Sequence, residues 1–546
     1  MASGISQKKR TENSMCGFVA YVGSDCDLSK LKECASKIKH RGPDNSSHEL
    51  MSASAAFAFH RLAIIDLSES GNQPLKHPQD STISLVCNGE IYNYLSLKET
   101  HGFKTKSNSD CEVILHLYKK FGIERTVKLL DGVFSFALYD SKKDILFCAR
   151  DQYGVRPSFI GWDGKGGVAI ASEMKSLIGL CDNSLIPFPP STWWSSDIPY
   201  AFISYNHVIG IQSIKSSEED ICKNIKTLLT RSVSKRMMSD REVGCLLSGG
   251  LDSSLVSSLV ASMSDDPKKL KTFSIGMEGS PDLAYAKLVA DHIGSDHHSI
   301  QLTEKDFLDV IEEVIYSIES YDTTTVRASI GNYLVSKYIR ENTDVKVVFN
   351  GDGADEACMG YVYNANAPSA SEFHAENYRL LEEIHLFDVL RSDRCISSNG
   401  LEARTPFLDP EFVTYYLSIP PEMKMFGSNG KPEKYLLRKA FENSGLLPSE
   451  VLHRSKCAFS DGVSSIENSW HQTLKKFIDS QVSDEEFEIG KKEIVHCKPV
   501  LKESYYYRKI FNKFFKGNSH LIPHFWMPLW CVADDPSARE LDSYRE

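Results

Sequence analysis

The chain predicts two α/β units in tandem: an α+β domain of mainly antiparallel strands, then a doubly wound parallel α/β sheet. Three observations lead there. At 546 residues the chain exceeds what one hydrophobic core usually serves. From about 55 to 172, short strand-like stretches recur at Ala55–Phe59, Ile83–Cys87, Val133–Tyr139, Ile145–Ala149 and Val168–Ala171, with helical stretches near 28–39 and 110–129. From 219 onward, apolar runs at Val243–Leu247, Leu270–Met277, His298–Leu302 and Val345–Phe349 alternate with helical patterns near 253–263, 281–294, 304–320 and 328–341. That alternation demands a parallel sheet covered by helices on both faces.

Composition narrows the function. With 41% apolar and 25% charged residues, the chain reads as a soluble globular protein. A net charge of -11 argues against a nucleic-acid partner. No apolar stretch approaches bilayer length, so no membrane partner is expected. Fourteen cysteines without a CxxC pair, and no secretory apolar stretch at the start, point to reduced thiols in a cytoplasmic protein.

Residues 1–15 are polar and aperiodic up to Ser14, and the expectation is a disordered or removed extension. Cys16 then precedes an apolar strand. An isolated cysteine there is usually a packing residue. Processing after Met15 would instead expose an α-amine beside a thiol, and an amine of pKa near 8 can act as that thiol's base.

At Met15-Cys16-Gly17-Phe18 the first domain, 16–181, resembles the class II glutamine amidotransferases of the N-terminal nucleophile type. The resemblance continues through His40-Arg41-Gly42-Pro43-Asp44, His60-Arg61-Leu62-Ala63-Ile64-Ile65-Asp66, Asn88-Gly89-Glu90-Ile91-Tyr92-Asn93 and Ser109-Asp110-Cys111-Glu112. It implies an αββα sandwich that hydrolyses glutamine. Cys16 would be the nucleophile, Arg61 and the following Leu62, Ala63, Ile64 and Ile65 the seat of the glutamine carboxylate, and Asp110 the partner of its ammonium. Asn88 and Gly89 would face the oxyanion, with Glu90 beside them. Taken singly, Arg61 could be a surface ion pair, Asn88-Gly89 a type I′ hairpin turn and Asp110 a helix cap.

Residues 182–218, with Ile186-Pro187-Phe188-Pro189-Pro190, lack a period and read as a linker. The second domain, 219–480, opens around Ser248-Gly249-Gly250-Leu251-Asp252-Ser253-Ser254, a Gly-rich loop between a strand and a helix. Free N–H groups and the helix dipole favour an anion there. The loop lacks the Gly-Lys-Ser/Thr ending of a Walker A motif. It resembles instead the pyrophosphate loop of the N-type ATP pyrophosphatases.

Ser274–Asp282, Glu319–Arg327, Glu402–Asp409 and Ser455–Val463 extend the match to the asparagine synthetase family. The resemblance implies ATP held by Leu246, Ser248, Gly249, Gly250, Asp252, Ser253, Ile275, Asn350 and Gly351. It further implies Mg2+ carried by Asp252 and Asp355, triphosphate charge neutralised by Lys456 and Arg327, and an acid at Asp352 assisting intermediate formation and ammonia attack. Asp352 stands where the family has glutamate, a withdrawal of one methylene that costs on the order of 100-fold in rate where positioning is tight.

The implied reaction makes asparagine from aspartate, ATP and glutamine or ammonia through β-aspartyl-AMP, with a water-excluding passage between the sites. Another carboxylate-amidating or cyclising enzyme of this superfamily, or a catalytically weak regulatory homologue, are the alternatives. Oligomeric state is not readable; a homodimer is the working expectation. The tail, 481–546, reads as helical and packed against the catalytic domain.

Overall fold

The computed structural model describes residues 16–536 except 25, 182–183, 207–210, 428–429, 457–461, 466–468 and 532–533. The N-terminal extension and part of the Ser455–Val463 segment therefore lie outside the described residues.

The first half is two stacked six-stranded sheets, every pairing antiparallel. One sheet orders β10 (Leu185–Pro187), β8 (Phe159–Trp162), β9 (Val168–Ala171), β1 (Gly17–Val22), β3 (Ala55–Arg61) and β2 (Asn45–Leu50). The other orders β12 (Ile203–Ser204), β11 (Thr192–Ser195), β7 (Ile145–Arg150), β6 (Gly132–Asp140), β5 (Asp80–Ile91) and β4 (Leu75–His77). Side chains alternate across each strand. In β1, Phe18 and Ala20 meet Phe57, Val86, Tyr139 and Cys148 between the sheets. Val19 and Tyr21 face outward onto the Leu28–Ser36 helix through Leu31 and Ala35. The far sheet carries the Val113–Phe121 and Ile123–Leu129 helices on its outer face. The result is the αββα sandwich.

Residues 185–204, expected as part of an aperiodic linker, instead form three short strands that complete both sheets. Runs of two to four residues are too short to show a period, so only their partners reveal them. Asn88-Gly89 is not a hairpin turn; it lies inside β5, paired with Ser135 and Phe134 of β6.

The second half holds a five-stranded, fully parallel sheet in the order β15 (Asp296–Gln301), β14 (Lys271–Gly276), β13 (Val243–Leu246), β16 (Val347–Phe349), β17 (Glu402–Arg404). Alternation again divides the faces. Val348 and Ala403 pack with the Ile311–Ile318 and Thr323–Asn342 helices. Val347 and Phe349 pack with the Glu218–Lys235 and Leu251–Met263 helices. The order reverses at β13, so the crevice beyond the carboxyl ends of β13 and β16 is the topological switch point where such sheets bind ligands.

Helices Trp470–Gln481, Asp484–Glu493 and Lys502–Phe515 follow, and Tyr507, Phe511 and Phe515 join the core beside the Ile311–Ile318 helix. The halves share apolar clusters: Leu62, Tyr92 and Val155 pack with Phe407 and Leu408. All thirteen cysteines among the described residues are free, nine of them buried. No helix among the described residues is long and apolar enough to cross a membrane.

Candidate active sites

The first site forms where β1, β3 and β5 converge. Cys16 Sγ lies 3.4 Å from the Leu62 carbonyl oxygen and accepts from Leu62 N–H at 3.3 Å. Burial pushes the thiol up to about 12, opposed by the Leu62 N–H. The resting sulfur is therefore neutral, and attack requires a base. Among the described residues no histidine hydrogen-bonds to it.

Asn88 is 1% exposed, and among the described residues neither its amide nitrogen nor its oxygen has a partner. A buried polar pair left open costs roughly 1–3 kcal/mol and calls for an explanation. Gly89 faces Phe134 in the register, but Phe134 directs both its N–H and its carbonyl to Asp151. Gly89 N–H is thereby turned to the opposite edge, the side on which Asp110 accepts from Ile91 N–H at 2.6 Å. A side chain at 89 would meet the Val133 carbonyl oxygen at 2.3 Å, so glycine is required.

Asp110 is buried, and burial pushes its carboxyl up to about 6, against the Ile91 N–H that favours the charge. Glu90 is buried too and is raised well above the usual carboxylate range by burial and by Glu402. Arg61 is 5% exposed; its terminal nitrogens donate to the Ser68 carbonyl and Asn72 Oδ1, both at 2.8 Å, and to the Ile65 and Asp66 carbonyls. Among the described residues no carboxylate pairs with it, so its charge is not neutralised. Asp44 accepts from Ala63 N–H at 3.0 Å, Arg241 Nε donates to the Ala63 carbonyl at 2.8 Å, and the Ile64 carbonyl accepts from Asp240 N–H at 2.9 Å. These bonds pin the 62–65 turn from both domains.

The second site is a cavity of about 260 Å³ at the switch point, lined by the Ser248 loop, Ser274-Ile275, the Asn350–Glu356 loop, Lys434 and Lys456. Leu246 ends β13 and Ile275 lies near the end of β14, both on its wall. Gly249 adopts φ +74, and any Cβ there would strike the Tyr285 backbone at 2.6 Å. Ser253 Oγ lies 3.0 Å from Ser248 Oγ and accepts from Ser248 N–H at 3.2 Å. Gly250 caps the thirteen-residue helix Leu251–Met263 without a side-chain cap, leaving first-turn N–H groups for an anion. Gly351 packs on that turn, where a Cβ would meet Ser253 N at 2.8 Å.

Asp252 and Asp355 share one ammonium. Lys434 lies 2.5 Å from each, and Lys456 lies 2.5 Å from the other Asp355 oxygen. Burial opposes ionisation of Asp355, yet the two lysines hold it well below the usual carboxylate range. Asp252 Oδ1 is buried with no hydrogen-bond partner among the described residues. Among the described residues no group of three or more metal-binding side chains occurs. One or two carboxylates plus substrate phosphates are the usual seat of Mg2+, so this open oxygen and its neighbour fit the ion. Asp352 accepts from Arg391 at 3.2 Å, its second, buried oxygen has no hydrogen-bond partner among the described residues, and burial raises its carboxyl.

Arg327 lines the same cavity, but its guanidinium is bound by Glu503 at 2.6–2.8 Å and by Asp535 at 2.7–2.9 Å. Sequence reasoning missed Lys434 and the role of Arg41, whose Nε donates to the Cys16 carbonyl at 2.9 Å. Arg41 lies inside the His40–Asp44 motif, while no local signal marks Lys434.

Comparison with known proteins agrees with both halves. The glutamine amidotransferase domain family matches residues 15–186, and the asparagine synthase family matches 224–371 and 362–540. Glutamine-hydrolysing asparagine synthetases of Gallus gallus, Cricetulus griseus and Rattus norvegicus are 45%, 44% and 44% identical to this chain over 559 aligned positions. Each alignment covers 97% of this chain and 99% of the relative.

Proposed function

The chain belongs to the glutamine-hydrolysing asparagine synthetases, and from that premise we propose how its own residues divide the ATP-dependent conversion of aspartate to asparagine. In the first site Cys16 attacks the glutamine carboxamide. Its α-amine, freed by processing after Met15, accepts the thiol proton. The thiol's upward shift makes such a base necessary. Asn88 Nδ2 and Gly89 N–H receive the oxyanion, a role that accounts for the open amide of Asn88. Asp110 holds the substrate ammonium and Arg61 draws its carboxylate.

In the second site the first turn of Leu251–Met263, Lys434 and Lys456 surround the triphosphate. They screen the approach of the aspartate carboxylate to the α-phosphorus, from which pyrophosphate leaves. Mg2+ would be held by Asp252 and Asp355 and would neutralise further phosphate charge. Asp352 receives a proton as ammonia attacks β-aspartyl-AMP, giving asparagine and AMP. Ammonia crosses from one site to the other inside the protein. We further propose a cytoplasmic homodimer; the free buried thiols suit a reducing compartment.

The carrying observation is Lys434 held between Asp252 and Asp355 at the switch point, beside a helix N-terminus. Purified protein given magnesium, ATP, aspartate and ammonium salt should release pyrophosphate and asparagine in equal amounts. No pyrophosphate would reject the reading. Mass spectrometry of the mature chain checks the start at Cys16, and sedimentation checks the dimer.

A further inference from the structure

The end of the chain supplies one wall of the nucleotide cavity. Trp526, Pro528 and Pro536 line it, although the last motif of the site ends at Val463. Trp526 is 9% exposed and packs with Tyr363 and Phe387. Its ring centroid lies 5.3 Å from that of Tyr361 and 6.1 Å from that of Tyr363. Tyr361, Tyr363 and Phe387 line the cavity as well. Phe387 directly precedes Asp388, and Arg391 donates to Asp388 at 2.8 Å and to Asp352 at 3.2 Å. The aromatic wall therefore stands beside the acid at which ammonia attacks.

The wall is fixed at two points on one helix. Trp526 N–H donates to Asp322 Oδ1 at 2.8 Å, while Asp322 Oδ2 caps Thr323–Asn342 by accepting from Thr325 N–H at 2.8 Å. In the next turn of that helix, Arg327 donates to Asp535 at 2.7 and 2.9 Å. Asp322, Arg327 and Asp535 are all buried. Charges enclosed in this way hold their partners closely, because an unpaired one is costly.

The intermediate explains the need for such a wall. β-Aspartyl-AMP is a mixed anhydride, and water can take the place of ammonia at its β-carbonyl carbon. A new carbon–oxygen bond then forms, the bond from that carbon to the phosphate oxygen breaks, and aspartate, AMP and one proton are released. ATP is consumed and no asparagine is made. Keeping bulk water from the anhydride preserves it for the amine.

We propose that the tail wall centred on Trp526 shields the acyl adenylate from water, and that Asp322 and the Arg327–Asp535 pair are positioning residues that hold it in place. The proposal rests on the adenylate chemistry above and adds protection of the intermediate to it.

The test gives the full chain magnesium, ATP, aspartate and saturating ammonium salt in water labelled with heavy oxygen. It reads AMP per asparagine and the label in recovered aspartate. The unaltered protein should form the two products in equal amounts and leave aspartate unlabelled. Trp526→Ala should raise AMP per asparagine about threefold or more, with label entering aspartate in step with the excess AMP. Trp526→Phe, which keeps an aromatic ring, should stay near the unaltered ratio. Asp535→Asn should raise the ratio by loosening the hold on Arg327. An unchanged ratio in Trp526→Ala would overturn the shield, even if AMP and asparagine fell together, since a merely structural residue lowers both products equally. Excess AMP carrying the label in its phosphate would overturn it too, because water would then have attacked phosphorus. An unchanged ratio in Asp535→Asn alone would remove the Arg327–Asp535 pair from the proposal. If Trp526→Ala does not fold, the ratio in Asp535→Asn decides. Failure of the adenylate reading itself would look different: no pyrophosphate from the unaltered protein.

Discussion

Lys434 sets its ammonium 2.5 Å from Asp252, a carboxylate in the first turn of the helix after the Gly-rich loop, although 181 residues separate the two in the chain. The same ammonium lies 2.5 Å from Asp355, so one cation joins the two strand ends that flank the switch point. Asp252 and Asp355 both raise the Lys434 pKa, against burial, and keep it charged.

Replacing this cation should stop synthesis and spare glutamine hydrolysis. Lys434→Met leaves Asp252 without its cation, and Asp355 with Lys456 alone, where a triphosphate must enter. Pyrophosphate release should fall by on the order of 100-fold or more, while glutamate release measured without ATP and aspartate stays within about twofold. A variant with both activities intact would remove Lys434 from the site.

Asp352 tests the shortened acid. One oxygen is tied to Arg391 and the other, buried, has no hydrogen-bond partner among the described residues, so Asp352→Asn removes the group proposed to receive the ammonia proton. Asparagine formation should drop by roughly 100-fold. Aspartate-dependent exchange of pyrophosphate into ATP should drop less, because adenylation needs no proton transfer from ammonia. Equal losses in both assays would place Asp352 in adenylation instead.

Glutamine affinity should depend on pH through Asp110. Burial raises this carboxyl to about 6, so the group is charged above that value and neutral below it. A neutral acid cannot pair with the substrate ammonium. KM for glutamine should therefore rise as pH falls through about 6, and glutamine binding near that pH should release a proton from the site. In Asp110→Asn the KM should be high and flat across this range, which steady-state kinetics between pH 5 and 8 would show.

Arg327 separates structure from chemistry. It is bound on two sides by buried Glu503 and Asp535, and removing one partner of such an ion group costs about 3–5 kcal/mol. Arg327→Leu should lower the unfolding midpoint clearly. Adding Glu503→Gln and Asp535→Asn should recover much of that stability. If pyrophosphate release returns with it, the arginine acts by holding the tail; if stability returns and release does not, the guanidinium serves the triphosphate.

Much of both sites was legible because their geometry is local. Gly249, Gly250 and Ser253 act within one turn, and a strand, a tight loop and a helix suffice to aim them. Asn88 and Gly89 were legible as candidates but not as structure. Their pairing with Ser135 and Phe134 in β6 places them inside a strand, where an Asn-Gly pair read alone points to a turn. The strands in 185–204 were invisible for a related reason: at two to four residues each, their stability comes from β7 and β8 and not from any pattern of their own.

The sequence by itself determined the two-domain order and the parallel sheet after residue 219, because periodicity acts over a few neighbouring positions; its short motifs, through their family resemblance, marked Cys16, Asn88-Gly89 and the Ser248 loop as candidates. Tertiary structure alone decided which charges meet. Lys434 joins Asp252 to Asp355, Arg327 is claimed by Glu503 and Asp535, and Arg41 reaches a helix 352 residues further along the chain. An ion pair needs only proximity in space, and proximity between distant segments is created by the packing of the two cores.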